Sequence, residues 1–588
     1  MKIKNYAKQL LITAIFLNLL MGAATPVSAQ PVVFDWAIRL GNVDDDKGNG
    51  IVTDAAGNIY TIGNFYGTVD FDPGPLVLNL VTAGYTDIFV SKTDPAGNLI
   101  WARQFGGSVH DNGAGIAVDA AGNVYTTGNF ENTSDFDPGP NTFNLTSAGG
   151  FDVFVSKLDA SGNFVWAKQM GGSQISSING DEGKSVAVDA SGNVYVGGRF
   201  EFMADFDPGP GTFNLTAAGS SCDVFLAKLT SQGDFVWAKK WGDNGNTDWL
   251  NNIAVSGIHI YSSGSFYGPV DFDPGPNTTV LSPGGLSGIY VSKLDSAGDF
   301  VWARQFSRNM GGFLYDAGAM TVDNQGNVFT TGSFDNTVDF DPGNGNANMT
   351  AGSNQNAFIV KLNSSGSYQW VKSLGNTGEV AALGITLDSQ GSIYTTGWFN
   401  DNGNAICDFD PGAPSYIVTS HGLLDIFVCK LDASGNFNWA KGMGGPFEDY
   451  GLSIAVSPSY SVSSTGYFSG TADFDPDTNV TFNLTGAGST DLFIHKMNQI
   501  GVGIEKTGGS NMLRAFPNPS EGIFTFASAD HIIAGTIEVY NHYGAMVYAA
   551  DIRNRSSVEM DLKNLHAGIY FLRLREGMRD HGLKLVIQ

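Results

Sequence analysis

Residues 115–168 alternate short apolar runs with compact polar breaks, and none of them carries the 3.6-residue period of a helix. Residues 115–119 are a short apolar run closed by Ala120-Ala121-Gly122-Asn123, where Gly and Asn tolerate positive φ. Residues 124–128 are β-branched and aromatic and read as the returning strand. Two prolines in Asp135-Phe136-Asp137-Pro138-Gly139-Pro140 forbid continued ladder pairing. Residues 152–158 form a third strand, turned at Ala160-Ser161-Gly162-Asn163, and residues 164–168 a fourth. On that fourth strand Phe164 and Trp166 face one side, Val165 and Ala167 the other, so the pattern predicts a sheet that is dry on both faces.

The same grammar recurs every 65 to 70 residues. Asp-Phe-Asp-Pro places carboxylate pairs at Asp70 and Asp72, Asp135 and Asp137, Asp205 and Asp207, Asp271 and Asp273, Asp339 and Asp341, Asp408 and Asp410, and Asp473 and Asp475. A second register repeats a tryptophan at Trp36, Trp101, Trp166, Trp237, Trp302, Trp370 and Trp439. Residues 33–37 are a fourth-type strand with no first three before it, and residues 491–497 a third-type strand with no fourth after it. The predicted fold is therefore all-β: a seven-bladed propeller over residues 33–498, closed when the N-terminal strand pairs into the last blade, leaving no open sheet edge. A linker over 499–510 and a small Ig-like β-sandwich over 511–588 follow.

The repeated run Asp152-Val153-Phe154-Val155-Ser156-Lys157-Leu158, continued by Asp159-Ala160-Ser161-Gly162-Asn163-Phe164-Val165-Trp166-Ala167-Lys168, resembles the SBBP-type bacterial β-propeller repeat. The resemblance implies a propeller and no activity. Unit four departs from it, because Val255-Ser256-Gly257-Ile258-His259 lacks the Gly-Asn turn.

The ends and the charge narrow the setting. Lys2, Lys4 and Lys8 precede an apolar run, and Val27-Ser28-Ala29 fits a cleavage site, so residues 1–29 read as a signal peptide. No other stretch is long enough to span a bilayer. The net charge of -26 resides in the repeats, since residues 511–588 carry as many basic as acidic groups. Such a surface argues against nucleic acid and anionic membrane partners and favours cations or basic partners. The three cysteines, Cys222, Cys407 and Cys429, make no disulfide framework.

Two readings of Asp-Phe-Asp-Pro stay open. Carboxylates at i and i+2 of an extended segment can share a calcium ion, and Asp473, Asp475 and Asp477 come closest to a calcium loop. Alternatively the first aspartate caps a Pro-Gly turn while the phenylalanine plugs the gap between blades. A further aspartate recurs before the first strand, at Asp46, Asp111, Asp181, Asp248, Asp316 and Asp449, and together the two series predict an acidic rim on one face. In the Gly-x-Phe segment that ends the second strand, x varies: Asn64, Asn129, Arg199, Ser265, Ser333, Trp398 and Tyr467. Arg199, Trp398 and Tyr467 are the residues there suited to contacting a ligand.

The C-terminal segment carries Pro517-Asn518-Pro519 before Gly522, then Val539-Tyr540-Asn541-His542-Tyr543-Gly544, Leu565-His566-Ala567-Gly568-Ile569-Tyr570-Phe571 and Lys584-Leu585-Val586-Ile587. These motifs resemble the type IX secretion C-terminal sorting domain. The resemblance implies export across the outer membrane by the type IX machinery, removal of the domain, and release or attachment at the cell surface.

No metalloprotease helix, phosphate loop, nucleophile elbow or catalytic cysteine signature is present, so no catalytic residue is assigned. The leading expectation is a secreted or surface-displayed propeller that binds a protein or glycan without catalysis, with calcium as its one candidate cofactor. A carbohydrate-active enzyme and a calcium-stabilised adhesin are the alternatives.

Overall fold

The computed structural model describes residues 32–173 and 180–499, apart from 220, 244, 285–286, 309–313, 353, 404 and 478–479. Within 513–587 it describes all but 517–519, 521, 529–532, 542–545, 556, 566–567 and 577–578. Residues 1–29, where a signal peptide is expected, and nearly all of the expected linker lie outside the described residues. The chain divides into two compact units at Gln499 and Ile500. Every regular element described is a β-strand.

In the first compact unit the second repeat is representative. Its strands Asp111–Val118, Val124–Asp135, Asn144–Leu158 and Phe164–Met170 pair in sequence order, each antiparallel to the last. The turn between the first two is built by Asp119, whose Oδ1 accepts the Ala121 and Asn123 N–H groups while Gly122 takes φ +82°. Unit four manages without this motif: Ser256 pairs with His259 across a two-residue turn in which Gly257 has φ +60°.

The second strand runs further than its sequence suggests. It passes Gly128 and continues to Asp135, pairing Asp135 with Asn144 past a bulge at Asn132, which has φ +58°. The prolines therefore form the tip of a long hairpin. The outermost strands also differ from expectation. Ile100, Val165, Val236 and Val301 are 42–48% exposed, while Ala102, Ala167, Ala238 and Ala303 two residues on are 2–4% exposed, so the side opposite the tryptophan is dry only past its first residue. Neighbouring sheets cover the tryptophan side and, on the other side, the alanine, as where Ala167 packs with Val90 and Trp101 of the preceding unit.

The N-terminal strand Val32–Leu40 pairs antiparallel with Asp491–Gln499, from Val32↔Gln499 to Leu40↔Leu492. It supplies the outer strand of the sheet formed by Tyr450–Val456, Val462–Phe468 and Asp491–Gln499. Apolar cores lie between successive sheets; one joins Val153, Val155 and Trp166 to Val196, Phe225 and Leu229 of the next. The tryptophan series locks these layers together. Trp36, Trp101, Trp166, Trp237 and Trp302 each donate Nε1–H to a turn carbonyl of the following unit, those of Pro95, Ala160, Ser231, Ser296 and Ser364, at 3.2–3.3 Å.

In the second compact unit, Leu513–Phe516, Ile523–Ser528 and Ser557–Asp561 form one antiparallel sheet. Met546–Arg555, Ile533–Asn541, Gly568–Glu576 and Arg579–Ile587 form another. Phe524, Phe526 and Met560 of the first sheet and Ile537, Val539 and Leu572 of the second share one buried core, as two packed sheets require. No helix among the described residues is long and apolar enough to cross a membrane.

Candidate functional site

The first strands of the units, among them Lys47–Thr53, Glu182–Val188, Trp249–Ser256 and Tyr450–Val456, surround a cavity of about 670 Å³. They touch directly. The Ile253 N–H donates to Ser185 Oγ at 3.1 Å, and the Ile51 N–H to Ser453 Oγ at 3.2 Å. Glycine permits the closest approaches: a Cβ on Gly115 would meet the Ser185 backbone at 3.0 Å.

A bulge shapes the mouth. In each of six units the glycine of Gly-x-Phe lies beneath the carbonyl of the first inner residue. A Cβ on Gly63, Gly128, Gly198, Gly264, Gly397 or Gly466 would stand 1.8–1.9 Å from the carbonyl oxygen of Lys47, Asn112, Glu182, Trp249, Ala381 or Tyr450. The register shift that follows pairs those same inner residues with the variable x positions: Glu182 with Arg199, Trp249 with Ser265, Ala381 with Trp398, Tyr450 with Tyr467. Two variable positions per unit thus alternate around the mouth.

These side chains link one unit to the next. Arg199 Nη2 is 3.0 Å from Glu182 of its own unit, and its guanidinium lies 3.8 Å over the Trp249 ring of the following one. Tyr467 stacks on Tyr450 at 4.8 Å and carries Lys47 Nζ of the first unit at 4.7 Å from its centroid. Trp398 meets Tyr450 edge-on at 6.3 Å. Arg199, Trp398 and Tyr467 are half-buried. They belong to this belt without lining the cavity itself, whose wall includes Asn64, Asn112, Asn129, Glu182 and Trp249. The inner partners Lys47, Glu182, Trp249 and Tyr450 were not singled out by sequence, although all four directly follow a recurring aspartate as another changing position.

Those recurring aspartates do not form an exposed rim. Asp46, Asp111, Asp181, Asp248 and Asp449 are 0–5% exposed. Each clamps the incoming loop to its neighbourhood: Asp181 Oδ2 accepts the Gly172 N–H at 2.8 Å and Oδ1 the Glu201 N–H at 2.9 Å. Burial pushes Asp46, Asp181, Asp248 and Asp449 up to about 7 against these hydrogen bonds. Asp316 lies in a bulge, since Tyr315 pairs with Ser333 and Ala317 with Gly332, and its side chain is outside the described residues.

The Asp-Phe-Asp-Pro carboxylates are partly buried and engaged as turn caps. Asp135 Oδ1 accepts the N–H groups of Asp137 at 3.0 Å and Phe143 at 2.8 Å, and Asp137 Oδ1 that of Gly139 at 2.8 Å. Asp70, Asp205, Asp271, Asp339, Asp408 and Asp473 take the same paired donors. Asp72, Asp207, Asp273, Asp341 and Asp410 each accept a glycine N–H, and Asp475 accepts that of Asp477. Phe136 is fully buried, 5.4 Å from Phe130 and 5.0 Å from Phe154. Among the described residues no group of three or more His, Cys, Asp or Glu gathers to hold a metal ion.

Comparison with known proteins adds two family matches. Residues 100–129 match the SBBP β-propeller repeat, and residues 514–588 match the secretion system C-terminal sorting domain. An uncharacterized WD repeat-containing protein of Acanthamoeba polyphaga mimivirus is 24% identical over 511 residues, covering 74% of this chain and 36% of its own. The regulatory protein FlaEY of Caulobacter vibrioides is 28% identical over 214 residues, covering 36% of this chain and 21% of its own. The chain thus spans well under half of either relative. Sqt1 of Chaetomium thermophilum, a solved structure, is 12% identical with a TM-score of 0.36, covering 80% of this chain and 100% of that one. The protein joins an SBBP β-propeller repeat to a type IX secretion C-terminal sorting domain, which supports secretion and localisation at the cell surface.

Proposed function

We propose that the protein is a secreted or surface-displayed, seven-bladed propeller, sealed by its N-terminal strand, that binds a protein or glycan with the belt at its cavity mouth and catalyses no reaction there. One observation carries this reading. The two positions per unit that vary along the chain are the ones the bulge sets side by side at the mouth, while the residues beneath them are held by packing. The type IX sorting domain supports delivery of this belt to the outside of the cell, with the secretion machinery as partner. Hydrolysis of a glycan by the usual route uses two carboxylates in one cleft. Among the described residues lining the cavity, Glu182 is the one carboxylate, and Arg199 engages it.

The test is a glycan and protein array probed with the full chain and with Trp398→Ala/Tyr467→Ala. A ligand retained by the parent and lost by the variant is the expected result. Binding indifferent to the belt, or turnover of a polysaccharide, overturns the reading.

A further inference from the structure

Resting on that reading, we infer that the cavity at the mouth takes a neutral saccharide, held by carboxamides and one indole. Asparagine is the commonest polar residue of the cavity wall: Asn49, Asn64, Asn112, Asn129, Asn251 and Asn252. Asn49 Nδ2 is committed, donating to Asn64 Oδ1 and to the Gly113 carbonyl, both at 2.8 Å. Asn112, Asn129 and Asn252 are half-exposed at the cavity, and their side-chain amides engage no group among the described residues. Each offers a paired donor and acceptor, the complement of a hydroxyl that must both give and receive a hydrogen bond.

Charge argues in the same direction. The chain carries a net charge of -26, yet the cavity wall holds one acid, Glu182, and one base, Lys184, 4.0 Å apart, with Arg199 on the same carboxylate. Glu182 is thus held between two bases and leaves no free carboxylate for a cationic peptide side chain, while the one surplus positive charge makes acidic sugars the competing class in the titration. No large apolar anchor pocket is offered either; the apolar lining is made of glycine, alanine and the stems of short aliphatic residues, with Trp249 as the single aromatic ring. Arg199 over Trp249 at 3.8 Å holds that indole in place. Uncommitted amides around an oriented ring, in a cavity of about 670 Å³, fit a few sugar rings.

The experiment titrates the full chain by calorimetry with neutral oligosaccharides (cello-, chito-, malto- and manno-trioses), with polygalacturonate and sulfated oligosaccharides, and with a random peptide pool. A neutral trisaccharide should bind. Asn112→Ala/Asn129→Ala should weaken it by about tenfold or more, and Asn252→Ala should do so alone. Trp249→Phe should retain more affinity than Trp249→Ala, with melting temperatures held within about 2 °C of the parent. Binding confined to acidic sugars or peptides, yet abolished by Trp398→Ala/Tyr467→Ala, sinks the neutral-sugar inference and leaves the belt reading standing. Neutral-sugar affinity unchanged in the asparagine variants also sinks it. No binding in any class sinks both.

Discussion

Asp425 and Asp449 are both fully buried and converge on Gly444, where a Cβ would stand 2.5 Å from Asp425 Oδ1 and 3.0 Å from Asp449 Oδ2. Asp491 and Asp46 share Gly41 in the same way, and Asp87 with Asp111, Asp152 with Asp181, and Asp223 with Asp248 repeat the juxtaposition. The pairing is all or none. Where the third strand opens with Asn356, the next unit has Val380 at the second position; where it opens with Gly288, the next unit has Leu314. Two carboxylates this close, out of water, are stable when a proton stays with the pair.

Stability should therefore decline as pH rises through neutrality. Burial, reinforced by the neighbouring carboxylate, raises Asp46, Asp181, Asp248 and Asp449 to about 7 and Asp87 to about 6, and burial alone raises Asp152 to about 6. The native state then retains protons that the unfolded chain has released, from the ordinary value near 3.8 upward. Their contribution is complete below that value and is lost as pH climbs through about 6 to 7. We expect the melting temperature at pH 7.5 to lie about 5 °C below that at pH 5. Asp425→Asn, which copies the arrangement at Asn356, should reduce that difference. A melting temperature that rises over this interval would refute the shared-proton account.

The tryptophan lock should be uneven around the molecule. Trp166 Nε1–H reaches the Ser231 carbonyl, but Trp439 Nε1 is buried without an acceptor. The sheet after Trp439 takes its outer strand from Val32–Leu40, so it has no turn between third and fourth strands to supply a carbonyl. Trp166→Phe should cost about 1 kcal/mol in urea unfolding, whereas Trp439→Phe should cost less or stabilise. Equal losses would mean the indole hydrogen bond adds nothing.

Removing calcium should leave the fold intact. Asp135 Oδ1 serves two backbone N–H groups, so Asp135→Ala should destabilise by about 2 kcal/mol. Chelator treatment should move the melting temperature by less than about 1 °C. A large fall on chelation, restored by added calcium, would show that the Asp-Phe-Asp-Pro pairs hold an ion after all.

The bulge at the mouth should tolerate nothing larger than glycine. Gly466→Ala would set a Cβ 1.9 Å from the Tyr450 carbonyl and should cost about 3 kcal/mol by chemical denaturation. It should also disturb the Tyr450–Tyr467 stack, reducing ligand binding in the fraction that folds. Full stability in this variant would mean the inner strand can shift away freely.

Much of the architecture was legible because it is repeated. Spacing alone placed Trp36 beside the last repeat, and the strand it occupies does pair there, Ala37 with His495. The Gly-x-Phe position was visible as the one that changes, and Arg199, Trp398 and Tyr467 do stand together with ring and charge partners. The acidic rim was misread at Asp46, Asp111, Asp181, Asp248 and Asp449, since a carboxylate that caps a buried loop and one that faces water look alike in a sequence. The asparagine wall escaped notice for a related reason: Asn112 and Asn252 sit at different offsets within their repeats.

Local chemistry determined the repeat and the turns, because apolar runs and Gly-Asn turns act over a few residues and recur from unit to unit, with unit four the exception. Which carboxylates are buried, which amides face a cavity and which indole lacks an acceptor were decided only when residues of different strands and units came into contact, as Asp425 with Asp449 and Asp46 with Asp491. Desolvation depends on those neighbours, and no local pattern encodes them.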